Sequence, residues 1–278
     1  MTGRRVLDCA GRLLDLARPR VMGILNTTPD SFSDGGAYLS PEAAIRHARR
    51  MLEEGADIID VGGESTRPGA QAVPEAQEIR RVVPVIEALA RELPVPVSVD
   101  TSKAGVMRAA VAAGAGMIND VRALRGPGCL EAASDAAVPV CLMHMQGEPR
   151  DMQSEPRYGD VVGEVRAFLL QRIQACVQAG IPCERLLIDP GFGFGKTLEH
   201  NLELFRNLRH LSDLGAPLLV GVSRKRMIGA LVGGAAVEQR VYGSVAAAVL
   251  AIAQGAAIVR VHDVRPTVEA LRVAVELF

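Results

Sequence analysis

Short apolar runs rich in valine and isoleucine alternate with segments of helical periodicity along the whole chain. Each run is apolar at consecutive positions, and this pattern is typical of a parallel strand that is buried on both faces. Eight runs are predicted as strands: 21–25, 57–61, 95–99, 116–120, 138–143, 186–189, 218–222 and 257–261.

The segments between these runs carry the end signals of helices. In the first of them, Ser40 suits the N-cap, Pro41 suits the first helical position and Gly55 suits the stop. Helices are predicted at 40–55, 74–93, 102–114, 158–180, 198–211 and 241–255, with a shorter one at 128–136.

Eight alternations of strand and helix, with no break in composition, predict one domain over residues 1–278 with a (β/α)8 TIM barrel fold. The alternative is an open doubly wound sheet, which usually has a glycine-rich first turn. The first turn here is NTTPDSFSDGG and lacks that pattern. The residues before Val21 alternate around Ala10 and Gly11, which predicts an N-terminal hairpin that plugs the lower end of the barrel.

Two βα loops, at 27–38 and 62–73, are longer than the ordinary two to six residues, and both are polar and contain glycine. Segments of this kind often act as lids, so we expect both loops to be mobile.

Composition narrows the classes of function. A formal net charge of −1 argues against non-specific nucleic-acid binding, which requires a basic surface. The five cysteines are scattered without a CxxC pair, which favours free thiols in a reducing compartment. The sequence contains no signal peptide or apolar run long enough to span a bilayer. We therefore expect a cytoplasmic protein that acts on small molecules rather than on nucleic acid or membranes.

Polar side chains lie at nearly every predicted strand end, and in a barrel these ends converge on one mouth, where active sites lie. They are Asn26, Asp60 with Glu64, Asp100, Asn119 with Asp120, His144, Asp189, Ser223 to Lys225, and Arg260 with His262. Carboxylates suit the N–H-rich edge of a guanidine-like heterocycle, and cations suit phosphate oxygens. The sequence therefore predicts a bipolar site for a small heterocycle that carries a phosphate-type anion.

The segment GFGFGKT at 191–197 looks like a nucleotide phosphate-binding loop, but it fails the Walker pattern. That pattern needs glycine where Pro190 stands. We expect no nucleotide site there, although these glycines remain candidates for the lining of the mouth.

Eight motifs closely resemble those of the dihydropteroate synthases, in the same order, between Val21 and Val264. They are LNTTPDSFSDGG, DVGGESTRPGA, SVDTSKAGV, INDV, LMHMQGEPRDMQ, LIDPGFGFGKT, GVSRKRMIG and VRVHDV. The resemblance implies a homodimeric barrel enzyme of folate biosynthesis. Such an enzyme joins 6-hydroxymethyl-7,8-dihydropterin pyrophosphate to p-aminobenzoate, releases pyrophosphate and requires Mg²⁺.

The resemblance also implies roles for individual residues. Pterin binding is implied for Asp100, Asn119, Asp189 and Lys225, and pyrophosphate binding for Asn26, Arg67, Arg260 and His262. Magnesium is implied at Asn26 and Asp34, whose oxygens suit a hard cation. The p-aminobenzoate pocket is implied at Phe32, Thr66, Pro68 and Phe194 beside Lys225, and Met143 and Gly221 complete the substrate-binding set. The catalytic set is Asp34, Arg67, Asp100 and Lys225. Arg226 stands where many members of that family have serine, and its guanidinium offers two parallel donors to the benzoate carboxylate.

Two other functions share parts of this pattern. A pterin-binding methyltransferase has the barrel and the pterin carboxylates, but it has no use for a pyrophosphate cluster or for the STRPG loop. A non-catalytic pterin-binding paralogue would be marked by the loss of loop motifs that are intact here. The sequence therefore favours the synthase.

Overall fold

The computed structural model describes residues 6–27, 41–66 and 69–277. Eight of the described strands close into a parallel barrel in the order β10-β3-β4-β5-β6-β7-β8-β9, and β1 pairs with β2 in a separate antiparallel hairpin. The strands are β1 (Val6–Cys9), β2 (Arg12–Asp15), β3 (Arg20–Asn26), β4 (Ile58–Gly62), β5 (Val97–Asp100), β6 (Met117–Asp120), β7 (Val140–Met143), β8 (Leu186–Asp189), β9 (Leu218–Val220) and β10 (Ala256–Val261). The predicted barrel is confirmed.

Helices separate the strands along the chain. They are α1 (Pro41–Glu53), α2 (Glu75–Glu92), α3 (Ala104–Ala112), α4 (Cys129–Ala136), α5 (Val161–Gln178), α6 (Leu198–Arg206), α7 (Arg209–Ser212), α8 (Arg226–Leu231), α9 (Val241–Ala253) and α10 (Val264–Leu277). The first begins at Pro41, as predicted, and the predicted N-cap Ser40 lies outside the described residues. Gly55 follows this helix with φ of 100°, a left-handed conformation that ends a helix at little cost for glycine.

One predicted helix, 198–211, is divided in the structure into α6 and α7. The Asn207 backbone N–H donates to the Leu204 carbonyl oxygen rather than to that of Glu203. The Asn207 side-chain amide donates to the Glu203 carbonyl oxygen instead, at 2.8 Å. The side chain thus replaces the backbone donor of the next helical turn, which is the reason asparagine often lies at helix ends.

The N-terminal hairpin closes the lower end of the barrel, as predicted. Leu7, Cys9 and Leu14 are buried and pack into the barrel interior. The interior residues that they meet are Met22, Ile58, Met117, Cys141, Leu187, Leu219 and Ile258. The hairpin therefore covers an apolar layer that would otherwise be open to water at the bottom of the barrel.

The outward-facing strand residues form the main core with the helices. Val61, Val99, Ile118, Ile188 and Val220 belong to this layer, and each is completely buried. Apolar side chains thus lie on both faces of the strands, and this is the reason the runs are apolar at consecutive positions. None of the helices in the described parts of the chain is long and apolar enough to cross a membrane.

Candidate active site

The site is the inward-facing layer directly above the apolar floor of the barrel. Side chains two residues apart on a strand point to the same face, so the positions two residues beyond the floor also face inward. Those residues are Ile24, Asp60, Asn119, Met143, Asp189, Gly221 and Arg260. Asn26 and Asp100, at the ends of β3 and β5, lie on either side of Gly62. A Cβ built on Gly62 would be 3.5 Å from Asn26 Oδ1 and 3.6 Å from Asp100 Cβ.

Arg260 lies between two carboxylates at the centre of this layer. Its Nε donates to Asp60 Oδ2 at 2.6 Å, and its Nη2 donates to Asp100 Oδ2 at 2.7 Å. Asn119 Nδ2 donates to the same Asp60 oxygen at 3.1 Å. The predicted cationic and carboxylate ends of the site therefore meet at Arg260 instead of lying apart.

The electrostatics of this cluster follow from burial. Loss of solvation raises the pKa of Asp100 to about 7, and the Arg260 charge opposes that rise. The carboxylates around Arg260 outweigh its own desolvation and raise its pKa, so its guanidinium stays charged. Burial thus raises the pKa of Asp100, and the neighbouring guanidinium favours its charged form.

Asp189 and Lys225 form a second group, on β8 and on the segment after β9, the strand that pairs with β10. Asp189 Oδ1 accepts the Gly191 backbone N–H at 2.7 Å. A Cβ built on Gly221 would lie 3.9 Å from Asp189 Oδ2 and 4.0 Å from Lys225 Nζ, so both groups border the space above Gly221. Burial lowers the pKa of Lys225 to about 8 and raises the pKa of Asp189.

The β8–α6 loop supplies two contacts to Lys225. The ammonium donates to the Phe192 carbonyl oxygen, and it lies 4.6 Å from the centre of the Phe194 ring. Phe194 was predicted for the site, but the role of the Phe192 backbone was not. A cation over an aromatic face is stabilised by the ring quadrupole, so both contacts position the charge.

His262, the third predicted cation, follows β10 at the rim. Its backbone N–H donates to Ser223 Oγ at 3.1 Å, and its Nδ1 lies 3.1 Å from the same oxygen. Ser223 was noticed in the sequence only as a polar strand end, and the structure gives it the role of holding His262.

One wall of the mouth is apolar. Met143, at the end of β7, packs with Met145 and Met152, and the Phe194 ring packs against them. Only Met143 and Phe194 were predicted for the site. The closely spaced methionines in LMHMQGEPRDMQ were the available sequence signal, because polarizable methionine side chains suit the face of a flat ring.

The predicted residues Phe32, Asp34, Arg67 and Pro68 lie outside the described residues, as does all of the first long loop beyond Thr27. The second loop is described at both ends. Glu64 contacts Lys103 through Oε2 and accepts the Val73 backbone N–H at 3.3 Å through Oε1. Thr66, partly exposed, is the last described residue before the gap.

A magnesium ion would find one of its two predicted protein ligands in the described structure. Asn26 presents an amide oxygen beside Gly62 at the mouth. In the described residues, no group of three or more His, Cys, Asp and Glu side chains is arranged to hold a metal. A single amide oxygen nonetheless fits Mg²⁺, which usually keeps several waters and takes further oxygens from substrate phosphates.

Comparison with known proteins agrees with this geometry. The profile of a family described as pterin binding enzyme matches residues 22–262. The chain is 55% identical to the dihydropteroate synthase of Escherichia coli strain K12 over 267 residues, which cover 96% of this chain and 94% of that protein. The chain belongs to the dihydropteroate synthase family.

Solved structures of dihydropteroate synthases have the same fold. A structure of the Xanthomonas albilineans enzyme with 4-aminobenzoic acid matches with a TM-score of 0.94 and 59% identity, covering 99% of this chain and 98% of that one. Another structure of that enzyme, in complex with 7,8-dihydropteroate, matches with a TM-score of 0.89 and 56% identity over 98% of each chain. The family that the motifs indicated is therefore confirmed over nearly the full length.

Proposed function

We propose that this chain is a transferase that condenses 6-hydroxymethyl-7,8-dihydropterin pyrophosphate with p-aminobenzoate to give 7,8-dihydropteroate and pyrophosphate in folate biosynthesis. The observation that carries the proposal is the ring of polar inward-facing residues at the barrel mouth. Asp100, Asn119 and Asp189 share one layer there with Lys225 and Arg260. Relatives with 50–60% identity over nearly the full chain are named dihydropteroate synthases.

The carboxylates and the amide would hold the pterin edge. Asp189 keeps Oδ2 on the mouth side because Oδ1 is engaged by the Gly191 N–H. Asn119 and Asp100 lie across the same space, linked through Asp60 and Arg260. A buried carboxylate that accepts two parallel N–H bonds recognises the 2-amino and ring N–H groups of a pterin, and each charge-assisted bond contributes about 1.5–3 kcal/mol. The methionine wall would cover the face of the ring.

The cations would bind the pyrophosphate. Arg260 and His262 lie at the end of β10, and Asn26 lies on the neighbouring strand β3. Magnesium, when bound by Asn26, would neutralise negative charge on the leaving pyrophosphate. We propose that departure of pyrophosphate precedes attack, because an arylamine is a weak nucleophile and the electron-rich dihydropterin ring stabilises the resulting carbocation. Asp100 beside the pterin offsets that positive charge.

p-Aminobenzoate would enter beside Lys225 and the Phe194 ring. The rim residue Arg226, the first residue of α8, is exposed and extends the cationic edge toward solvent. A carboxylate held there leaves the amine of the benzoate pointing into the barrel toward the pterin. We propose ordered binding, in which p-aminobenzoate enters second and meets the pterin from this side.

The test is direct. Purified protein is mixed with the pterin pyrophosphate, Mg²⁺ and p-aminobenzoate, and dihydropteroate and pyrophosphate are measured together by chromatography and a coupled assay. Equal amounts of both products are expected. Pterin binding without either product would instead indicate a non-catalytic pterin-binding protein.

We further propose that the enzyme is a homodimer that pairs through α9 and α10. The α9 helix contains no charged residue, yet Tyr242 and Leu250 are 87% and 56% exposed. Val273 and Leu277 on the adjacent α10 are 61% and 78% exposed. A helix that is apolar all round is normally covered. Sedimentation velocity is expected to show a dimer that Leu250→Glu converts to a monomer.

The matched control for the dimer is Leu13→Glu. Leu13 is also strongly exposed, at 71%, but it lies on the hairpin at the lower end of the barrel. This variant is expected to remain dimeric, and dissociation of both variants alike would remove the assignment to α9 and α10.

We also propose that the reaction takes place in the cytoplasm. Cys9, Cys129, Cys141 and Cys176 are buried free thiols, which fits a reducing compartment.

A further inference from the structure

The loop between β8 and α6, residues 190–197, is tied to the rest of the barrel through its carbonyl groups. Side chains donate to them as follows: Gln153 to Gly193 at 2.6 Å, Tyr158 to Gly195 at 2.8 Å and Asn201 to Thr197 at 2.5 Å. Buried carbonyl groups need such partners, and here the donors come from outside the loop. The loop is therefore held by specific hydrogen bonds.

At Gly191 and Gly195, the backbone of this loop lies too close to the chain after β7 to leave room for a side chain. Gly191 and Gly195 have φ of 68° and 61°. A Cβ on Gly191 would lie 1.9 Å from the His144 carbonyl oxygen, and one on Gly195 would lie 2.1 Å from the Gln146 carbonyl oxygen. Glycine is required at both positions, and the hydrogen bonds must supply the rigidity that glycine lacks.

Lys196 lies at the centre of these bonds. The residue is only 2% exposed, and its Nζ lies 2.8 Å from His144 Nδ1, 3.0 Å from the Gly191 carbonyl oxygen and 3.2 Å from the Phe194 carbonyl oxygen. The Lys196 amino group therefore has three acceptors within hydrogen-bond distance, and burial lowers its pKa well below the ordinary value of a lysine. Burial lowers the pKa of His144 to about 2, so its ring is neutral and can accept at Nδ1.

The same short stretch of the loop, residues 191–194, contacts both Lys196 and Lys225. Lys196 holds the carbonyl groups of Gly191 and Phe194, while Lys225 contacts the Phe192 carbonyl and the Phe194 ring. We propose that Lys196 is a positioning residue, which fixes this loop so that Phe192 and Phe194 hold the Lys225 ammonium in place for p-aminobenzoate. The inference rests on the proposed function and adds to it a residue that does not touch the substrate.

Lys196→Met keeps the length of the side chain and removes its donors. The KM for p-aminobenzoate is expected to rise by about tenfold, since the loss of buried hydrogen bonds changes affinity by that order. The KM for the pterin pyrophosphate is expected to rise by a smaller factor, because Asp189 and Lys225 contact the loop whereas Asp100 and Asn119 lie on other strands. Lys196→Arg, which keeps N–H donors, is expected to recover part of the loss.

A purely structural role predicts a different result. It would lower Tm and the fraction of active enzyme and would leave both KM values unchanged. The matched control is Arg185→Met, which removes a cation that donates to the Val138 and Ala133 carbonyls just before β8, at the far end of the barrel. That variant is expected to lose stability and to keep the wild-type KM for p-aminobenzoate.

Tyr158→Phe removes only the donor to Gly195 and serves as the second variant if Lys196→Met does not fold. It is expected to raise the KM for p-aminobenzoate in the same direction by a smaller factor. Wild-type KM values in both variants, with an active wild type, would overturn the inference about Lys196. A wild type that forms no dihydropteroate would instead overturn the proposed function.

Discussion

Replacement of Gly221 by alanine adds one methyl group to the wall of the proposed pterin pocket. The new Cβ would lie 3.8 Å from Arg260 Cβ, 3.9 Å from Asp189 Oδ2 and 4.0 Å from Lys225 Nζ. These are ordinary van der Waals distances, and the backbone at Gly221 is outside the left-handed region. The folded protein therefore accepts the methyl group without strain. Because alanine has fewer unfolded conformations, stability should rise by about 0.4–1 kcal/mol, which raises Tm by about 1–4 °C.

The effect on the ligand should have the opposite sign. A pterin N–H that bonds Asp189 Oδ2 approaches to about 2.9 Å, through the space that the methyl group borders. Inserting a methyl group into a close contact costs about 1–3 kcal/mol, which corresponds to about a 5- to 150-fold loss of affinity. Isothermal titration calorimetry with a pterin ligand measures this loss, and differential scanning calorimetry measures the gain in Tm.

Gly159→Ala is the matched control. Gly159 precedes α5, and a Cβ there would meet only Glu164 Oε1, at 3.8 Å. It should show the small entropic effect on stability and wild-type pterin affinity. If Gly221→Ala binds the pterin as tightly as the wild type, the space between Asp189, Lys225 and Arg260 is not the pterin pocket, and the reasoning about the inward-facing layer is refuted.

Four further predictions concern the same site. Asp189→Asn should keep the fold, because the amide oxygen still accepts the Gly191 N–H. The variant should bind a pterin at least about tenfold more weakly by calorimetry, and unchanged affinity would remove Asp189 from the pocket. Lys225→Ala should abolish turnover with the circular dichroism spectrum unchanged, and near-normal kcat/KM would make the lysine a solvated rim charge. Since burial lowers the pKa of Lys225 to about 8, the ammonium is lost as pH rises through that value, and kcat/KM for p-aminobenzoate should fall. Lys225→Arg should move that fall to higher pH, and a shared midpoint would assign it to another group. Affinity for p-aminobenzoate should be higher with pyrophosphate and Mg²⁺ present than without them, and equal affinities would contradict ordered binding.

Local sequence patterns were enough to predict the strands and to nominate residues for the candidate site. The run at 186–189 matches β8, and the run at 57–61 contains all of β4 except Gly62, because continuous burial on both faces leaves an apolar signature in neighbouring residues. The same regularity nominated Asp100 and Asp189. A polar residue at the carboxyl end of a parallel strand lies near the mouth once the barrel closes. Alternation along the strand decides which of these residues face inward, and Asp120, next to the inward-facing Asn119, instead accepts the backbone N–H groups of Arg122 and Leu124.

Pairings between distant residues were beyond this kind of prediction. Arg260 meets Asp60 and Asp100, which are 200 and 160 positions away along the chain. The sequence placed Arg260 with the phosphate-binding cations, and only the register of the closed barrel put its guanidinium between the two carboxylates. Which cation meets which carboxylate depends on the relative shift of all eight strands, and no segment of the chain contains that information by itself.

Lys196 also shows the difference between what local sequence predicts and what only the tertiary structure decides. In the sequence, GFGFGKT differs from a nucleotide loop at Pro190, and the pattern of glycines gave no indication of what the lysine contacts. Its partner His144 stands 52 residues earlier, at the end of the adjacent strand β7. Sequence alone determined that the loop contains alternate glycines and a lysine. Only closure of the barrel, which presses that loop against the chain after β7, decided that the Lys196 amino group is buried among three neutral acceptors.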